Sequence, residues 1–152
     1  MIEKILSTID EFKNRNLSYK LCIISLSDNH FLDLIENLKN KDFEIFDVGL
    51  SLSQHLKDKI DSKYISDEAI EFVNSTLHNG TDPLFIHNMG ILLEKEISIN
   101  IDKILINASK NRPIFIIWEN SIDNNILSWD TKKNEYYINF NDIIIRRINH
   151  EI

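Results

Sequence analysis

Short apolar runs alternate with amphipathic helical segments along the chain, and this alternation restricts the folds that it can adopt. Runs rich in β-branched residues predict buried strands at 20–26, 43–48, 83–87 and 113–118. Apolar residues at three- and four-residue spacing predict helices at 2–15, 28–38, 50–60, 66–77 and 99–110. Strands that alternate with helices form βαβ units. We therefore expect an α/β fold of three layers, with a mostly parallel sheet and helices on both faces.

The last third of the chain has a less regular pattern. Residues 126–129 and 136–140 predict two shorter strands, joined by a polar turn at 131–134. Residues 143–148 fit a strand or a last helix, and the pattern does not choose between them. A chain of 152 residues without internal repeats is expected to form a single domain over 1–152.

The charge of the chain restricts its partners. The formal net charge is −7, with 24 acidic and 17 basic residues. Proteins that bind nucleic acid without sequence preference use clustered Lys and Arg side chains. Direct nucleic-acid binding is therefore not expected over the surface as a whole, and only a local basic patch would allow it. The pair at 146–147 is too short to form one and is expected to be surface.

Cysteine, histidine and the start of the chain give further expectations. The single cysteine, Cys22, lies in an apolar run, so we expect a buried structural thiol rather than a nucleophile. The five histidines lack metal-ligand spacing, so a zinc site is not expected. The first residues lack the pattern of a signal peptide, and no apolar stretch approaches the roughly 20 residues that span a bilayer. A cytoplasmic protein without membrane contact is therefore expected.

Ligands of parallel sheets bind beyond the carboxyl ends of the strands. The segments after Leu26, Val48, Ile86 and Trp118 are therefore where a functional site is expected. Trp118 and Trp129 lie in apolar strands, which favours core packing over a binding role. No G-x-S-x-G elbow, carboxylate pair or other complete catalytic constellation is recognisable.

Several short motifs resemble the small P-loop proteins of BREX-type phage-defence systems, the BrxF family. Residues 47–53 (DVGLSLS) resemble that family's N-x-G-x-x-L-S element, and 84–88 stand where the family has a Walker B-like strand ending in Asp-Asn. Residues 109–112 resemble a Ser-Arg-Asn-Arg element before the next strand. Two pieces, 127–129 and 134–136, resemble the family's closing motifs. The resemblance implies a P-loop NTPase-like fold.

The chain departs from that family where a nucleotide would bind. A P-loop needs glycines, whose backbone N–H groups hold the phosphates, and a Lys with a Ser or Thr. The first strand here is followed by Ser27-Asp28-Asn29-His30, which has neither glycine nor lysine, and Asp28 carries the wrong charge for a phosphate. His87 replaces the acid that would help to hold Mg²⁺. These departures indicate a degenerate fold without ATPase activity, and no cofactor is expected.

Four residues form a possible relic or interaction site, namely Asp28, His87, Asn88 and Arg112. The simpler interpretation of His87-Asn88 is a polar strand terminus. If the fold is right, Arg112 lies beside the same sheet edge, as a solvated or salt-bridged side chain or as a retained interaction residue. A contact surface near Gly49 is also expected, formed by Leu50, Leu52 and Leu56.

The leading hypothesis is a non-catalytic accessory or regulatory protein of a bacterial anti-phage defence system, which acts by binding another protein of that system. The first alternative is a small acidic inhibitor or immunity-type protein that covers a basic nuclease surface. The second alternative is an ATPase-like protein with residual nucleotide binding. The absence of a glycine loop argues against the second alternative.

Overall fold

A five-stranded parallel sheet forms the centre of the molecule. The computed structural model describes residues 1–26, 28–58, 63–93, 99–119, 122–123, 126–128, 137–140 and 145–149. The helices are α1 (Ile2–Asn14), α2 (Asp28–Asn40), α3 (Val48–Leu56), α4 (Ile65–Leu77) and α5 (Ile101–Ala108), with a short 3-10 helix at Gly90–Leu93. The strands of the sheet are β1 (Leu21–Ser25), β2 (Glu44–Asp47), β3 (Leu84–His87), β4 (Ile114–Trp118) and β8 (Arg146–Asn149). Three further strands, β5 (Ile122–Asp123), β6 (Ile126–Ser128) and β7 (Tyr137–Asn139), form a separate antiparallel sheet.

The strand order of the large sheet is β2-β3-β4-β1-β8, and every neighbouring pair is parallel. The connection from β1 to β2 crosses the sheet in one direction, whereas the connections from β2 through β3 to β4 return in the other. Parallel crossovers are almost always right-handed, so the two directions place their helices on opposite faces. The hydrophobic contacts agree with this placement, because α1 and α2 pack on one face and α3, α4 and α5 pack on the other.

Alternate side chains of the central strands pack on opposite faces of the sheet and contribute to two hydrophobic cores. On one face, the side chains of Cys22, Ile24 and Phe115 pack against α1 and α2. On the other face, Ile23 and Ile116 pack against α3, α4 and α5, together with Leu127 and Ile138 of the small sheet and other buried residues. Strands that are buried on both faces have near-continuous apolar sequences, which explains why these runs are visible in the sequence.

The structure confirms the four predicted strands, the helices on both faces and the burial of Cys22, which is fully buried. Burial raises the pKa of the Cys22 thiol to about 12, so the thiol is protonated at neutral pH. Trp118 is 2% exposed and belongs to the core, as predicted. No helix within the described ranges is long and apolar enough to cross a membrane.

Within the segment that the sequence left open between strand and helix, the described residues from Arg146 onward form a strand. β8 pairs with β1 in parallel and becomes the outer strand of the sheet, with Ile148 packed in the core beside α1 and α2. The predicted strands at 126–129 and 136–140 are β6 and β7, which pair in antiparallel fashion. The predicted turn at 131–134 and Trp129 lie outside the described residues.

The prediction of an exposed contact surface near Gly49 is wrong for two of its three leucines. Leu52 is 0% exposed and Leu56 is 3% exposed, because both lie on the face of α3 that packs against the sheet. Only Leu50 is exposed, at 55%. The helix begins at Val48, two residues earlier than predicted, which places Leu50 in its first turn.

Candidate functional site

The carboxyl edge of the large sheet is the place where this fold would bind a ligand. Adjacent strands β1 and β4 send the chain to opposite faces of the sheet, since α2 packs on one face and the small sheet that follows β4 packs on the other. Such a switch point leaves a crevice beyond the strand ends, and ligands of open α/β sheets bind there. Ser25 and Trp118 are paired at this point of the sheet.

A set of hydrogen bonds links the ends of β2 and β3 next to the switch point. Oδ1 of Asp47 accepts bonds from the backbone N–H of Leu50 at 3.0 Å and from Nδ2 of Asn88 at 2.9 Å. The carbonyl oxygen of Asn88 accepts a bond from the N–H of Gly49 at 2.8 Å. We call these four residues the β2–β3 junction. The Asp47 carboxylate also caps the N-terminus of α3, an arrangement that stabilises helices.

Backbone geometry makes the β2–β3 junction tight. Asn88 has a φ of 55°, in the left-handed region that asparagine tolerates better than most residues. A Cβ atom at Gly49 would lie 2.4 Å from Nδ2 and 2.7 Å from Cγ of Asn88. Glycine is therefore required at position 49 for the Asn88 side chain to reach Asp47. The side chain of Asn88 thus uses one N–H donor for a bond within the protein.

His87 ends β3 and is half-buried between the sheet and α2. Its ring lies 5.1 Å from the ring of Phe31, measured between centroids. Burial lowers the pKa of His87 below its ordinary value of 6.5; the Asp47 carboxylate opposes this shift, and Lys39 acts in the same direction as burial. The imidazole is consequently neutral at neutral pH. A neutral ring brings no negative charge to a magnesium ion.

The connection from β1 to α2 lacks the residue types with which a P-loop holds phosphate. Asp28 is the first residue of α2, and its side chain lies outside the described part of the structure. The sequence between β1 and Phe31 contains no glycine and no lysine. Glu119 follows β4 at the same edge and is half-buried.

Arg112 is at the opposite end of the sheet from His87 and Asn88, so the expectation that it lies beside them is wrong. Arg112 precedes β4, and residues that precede parallel strands lie at the amino edge. Its guanidinium donates to the carbonyl oxygen of Asp82 at 2.7 Å and to the carboxylate of Glu44 at 2.8 Å. It also donates to the carbonyl oxygens of Leu77 and Asn79, each at 3.4 Å. With 1% exposure, Arg112 is a buried structural residue.

A cleft of about 200 Å³ opens beside the end of β1, between the start of α1 and α2. It is lined by Met1, Ile2, Leu26, His30, Asp33, Leu34 and Asn37. The sequence predicted neither this cleft nor its residues, because it depends on how the start of α1 packs against α2. The three-residue and four-residue spacing of His30, Asp33 and Asn37 on one helix is the only signal that the sequence carries.

Two exposed leucines lie on the helices that begin at the carboxyl edge. Leu32 of α2 is 76% exposed and Leu50 of α3 is 55% exposed. Phe31, the neighbour of Leu32, contacts His87, and the N–H of Leu50 is bonded to Asp47. The two leucines therefore belong to the same end of the molecule as the β2–β3 junction.

The described residues contain no group of three or more His, Cys, Asp or Glu that is placed to hold a metal ion. Comparison of the chain with protein-family models, with curated proteins and with solved structures finds no match.

Proposed function

We propose that this chain is a non-catalytic binding protein, built on a degenerate P-loop NTPase-like scaffold, that acts as an accessory component of a cytoplasmic bacterial anti-phage defence system. The observation that carries the proposal is the β2–β3 junction. In this junction the Asn88 side chain donates a hydrogen bond to the Asp47 carboxylate, so the polar groups at the ends of β2 and β3 are bonded to each other.

The chemistry of the two positions that matter for a nucleotide supports a non-catalytic role. A P-loop lies between a strand and the helix that follows it, and the connection from β1 to α2 occupies that place. This connection lacks the glycines and the lysine, and the end of β3 presents a neutral His87 in place of a carboxylate. Both the phosphate-binding element and the magnesium partner are missing, so neither can compensate for the other.

The assignment to a defence system rests on the resemblance of residues 47–53, 84–88 and 109–112 to motifs of the BREX small P-loop family. In this interpretation, Asp47 and Gly49 have structural roles. The Asp47 side chain caps α3, and glycine at 49 leaves room for Asn88.

Protein binding is the activity that the surface favours. Exposed leucines on α2 and α3 place apolar side chains at the carboxyl edge, and contact with a partner protein would remove them from water. We therefore assign the partner-binding surface to the carboxyl edge, with Leu32 and Leu50 as its apolar contacts.

Phage plating tests this proposal. Bacteria that carry the gene together with its natural neighbours are compared with bacteria that lack only this gene. We expect deletion to abolish protection, and Leu50→Asp to do the same while the variant remains folded. The control Lys41→Asp introduces the same side chain beyond the end of α2, at the amino edge, and should leave protection intact. Full protection in the deletion strain, or neighbouring genes that encode a toxin instead, would contradict the proposal.

A further inference from the structure

The cleft beside the end of β1 is too small for a nucleotide but has room for a single side chain. Its volume is about 200 Å³, whereas sites for drug-sized ligands and cofactors occupy roughly 300–1,000 Å³. The cleft lies at the carboxyl edge, on the face of α1 and α2, and so at the end of the sheet where α/β proteins bind their ligands.

The floor of the cleft is apolar. Leu26 and Leu34 are 5% and 4% exposed, and the side chains of Met1 and Ile2 complete the floor from α1 and its start. An aliphatic chain that lies on this floor would remove further apolar area from water, at roughly 25 cal/mol for each Å².

The rim of the cleft is polar and lies along α2. His30, Asp33 and Asn37 follow one another at spacings of three and four residues, so they share one face of the helix. Within the part of the chain that the structure describes, the side chains of Asp33 and Asn37 form no hydrogen bond or ion pair. A carboxylate and an amide oxygen are thus available to accept bonds from a ligand.

We propose that this cleft receives a lysine or arginine side chain of the protein partner. These are the side chains whose long apolar stems cover hydrophobic surface while the charged head stays at a polar rim. The carboxylate of Asp33 would accept bonds from the ammonium or guanidinium head, and an anionic side chain would be repelled. The net charge of −7 attracts a basic partner surface before contact. This inference rests on the proposed function, in which the chain acts by binding another protein.

Titration of the ¹⁵N-labelled full chain with small probes tests the inference without knowledge of the partner. The probes are the Nα-acetyl methylamides of lysine, arginine and norleucine, the last of which has an aliphatic side chain without charge. We expect saturable shifts of the backbone amide signals of Leu26 and α2 with lysine and arginine. Binding of norleucine should be weaker by about fivefold, which corresponds to the loss of roughly 1 kcal/mol for one exposed ion pair.

Two variants assign the binding to the rim. Asp33→Asn should weaken lysine binding by a similar factor of about five. The matched control Asp10→Asn removes an exposed carboxylate from α1, away from the cleft, and should leave binding unchanged. Equal binding of lysine and norleucine, no effect of Asp33→Asn, or no saturable shifts would each overturn the inference. These outcomes would leave the proposed function standing, because that proposal is contradicted by phage plating and not by the occupancy of this cleft.

Discussion

Arg112 shows how a buried charge can be structural. Its guanidinium binds the carbonyl oxygens near the end of α4, a carbonyl oxygen of the turn before β3, and the Glu44 carboxylate on β2. Buried charges are tolerated in proteins when they are paired and fully hydrogen-bonded. The turn requires Gly80, whose φ of 123° is disfavoured for other residues. One side chain thus holds the amino ends of three neighbouring strands in register.

Replacement of Arg112 by methionine should lower the free energy of unfolding by roughly 3 kcal/mol, because three carbonyl oxygens lose their donor. Glu44→Gln should cost less than about 1 kcal/mol, since position 44 is 47% exposed and the amide oxygen of glutamine can still accept the bond from Arg112. Chemical denaturation of both variants measures the difference. A cost for Arg112→Met below about 1 kcal/mol would show that the guanidinium is not a structural link.

His87 predicts a pH dependence of stability. Its pKa in the folded protein lies below the ordinary value of 6.5 because the ring is half-buried. Below pH 6.5 the unfolded chain therefore binds more protons at this residue than the folded chain, and stability falls as the pH decreases through this window. The contribution is fully present above pH 6.5.

Denaturation curves at several pH values test this expectation with His87→Gln. The variant should lose less stability than the natural protein between neutral pH and pH 5, because it lacks the titrating ring. The control Asn79→Gln, just beyond the exposed end of α4, changes no titratable group and should retain the natural slope. Identical slopes for His87→Gln and the natural protein would mean that burial does not shift this pKa.

At the scale of elements, the sequence predicts the buried central strands better than the place of β8 or a contact between distant residues. The runs of β1 and β4 are visible because both of their faces are buried, so apolar residues are continuous. The place of β8 was not predictable, since four residues with only Ile148 buried do not distinguish a strand from a helix. The bond between Asn88 and Asp47 joins residues 41 positions apart and leaves no local pattern.

The candidate site was predicted only in part, because local sequence patterns do not reveal contacts between distant residues. His87 and Asn88 follow a recognisable strand, so their position at the carboxyl edge could be inferred from the sequence. Arg112 lies at the other edge, because it precedes β4 and residues before a parallel strand lie at the amino edge. The burial of the α3 leucines depends on where the helix begins, because its start decides which side chains face the sheet. Leu52 and Leu56 face inward, and Leu50 faces outward.

The connection between β2 and β3 gives an element-scale prediction. Gly49→Ala should lower the free energy of unfolding by about 1–3 kcal/mol, because the new Cβ atom would overlap Asn88. Asn88→Gly removes the obstructing side chain and keeps the positive φ accessible. In the Asn88→Gly background, Gly49→Ala should therefore cost less.

A double-mutant cycle by chemical denaturation measures this coupling, which we expect at roughly 1 kcal/mol or more. Additive costs for the two substitutions would indicate that Asn88 and Gly49 do not share one packed junction.

For the whole molecule, the fold of the scaffold does not assign a function, whereas the chemistry of the carboxyl edge bears on nucleotide binding. The parallel sheet with helices on both faces is compatible with many ligand-binding proteins, and fold alone does not assign a function. At the carboxyl edge, the Asn88 side chain is bonded to the Asp47 carboxylate and the His87 imidazole is neutral, and neither arrangement provides a phosphate-binding group. Nucleotide binding is the property that separates a degenerate scaffold from a working one.

Thermal melts with and without millimolar ATP–Mg²⁺ test this central claim most directly. A ligand that binds only the folded form raises the melting temperature by mass action, and a hundredfold excess over Kd contributes about 2.7 kcal/mol. We predict no shift of the melting temperature and no release of phosphate. A clear upward shift that is abolished by Asp28→Ala or His87→Ala would contradict the account and indicate a nucleotide site that still functions.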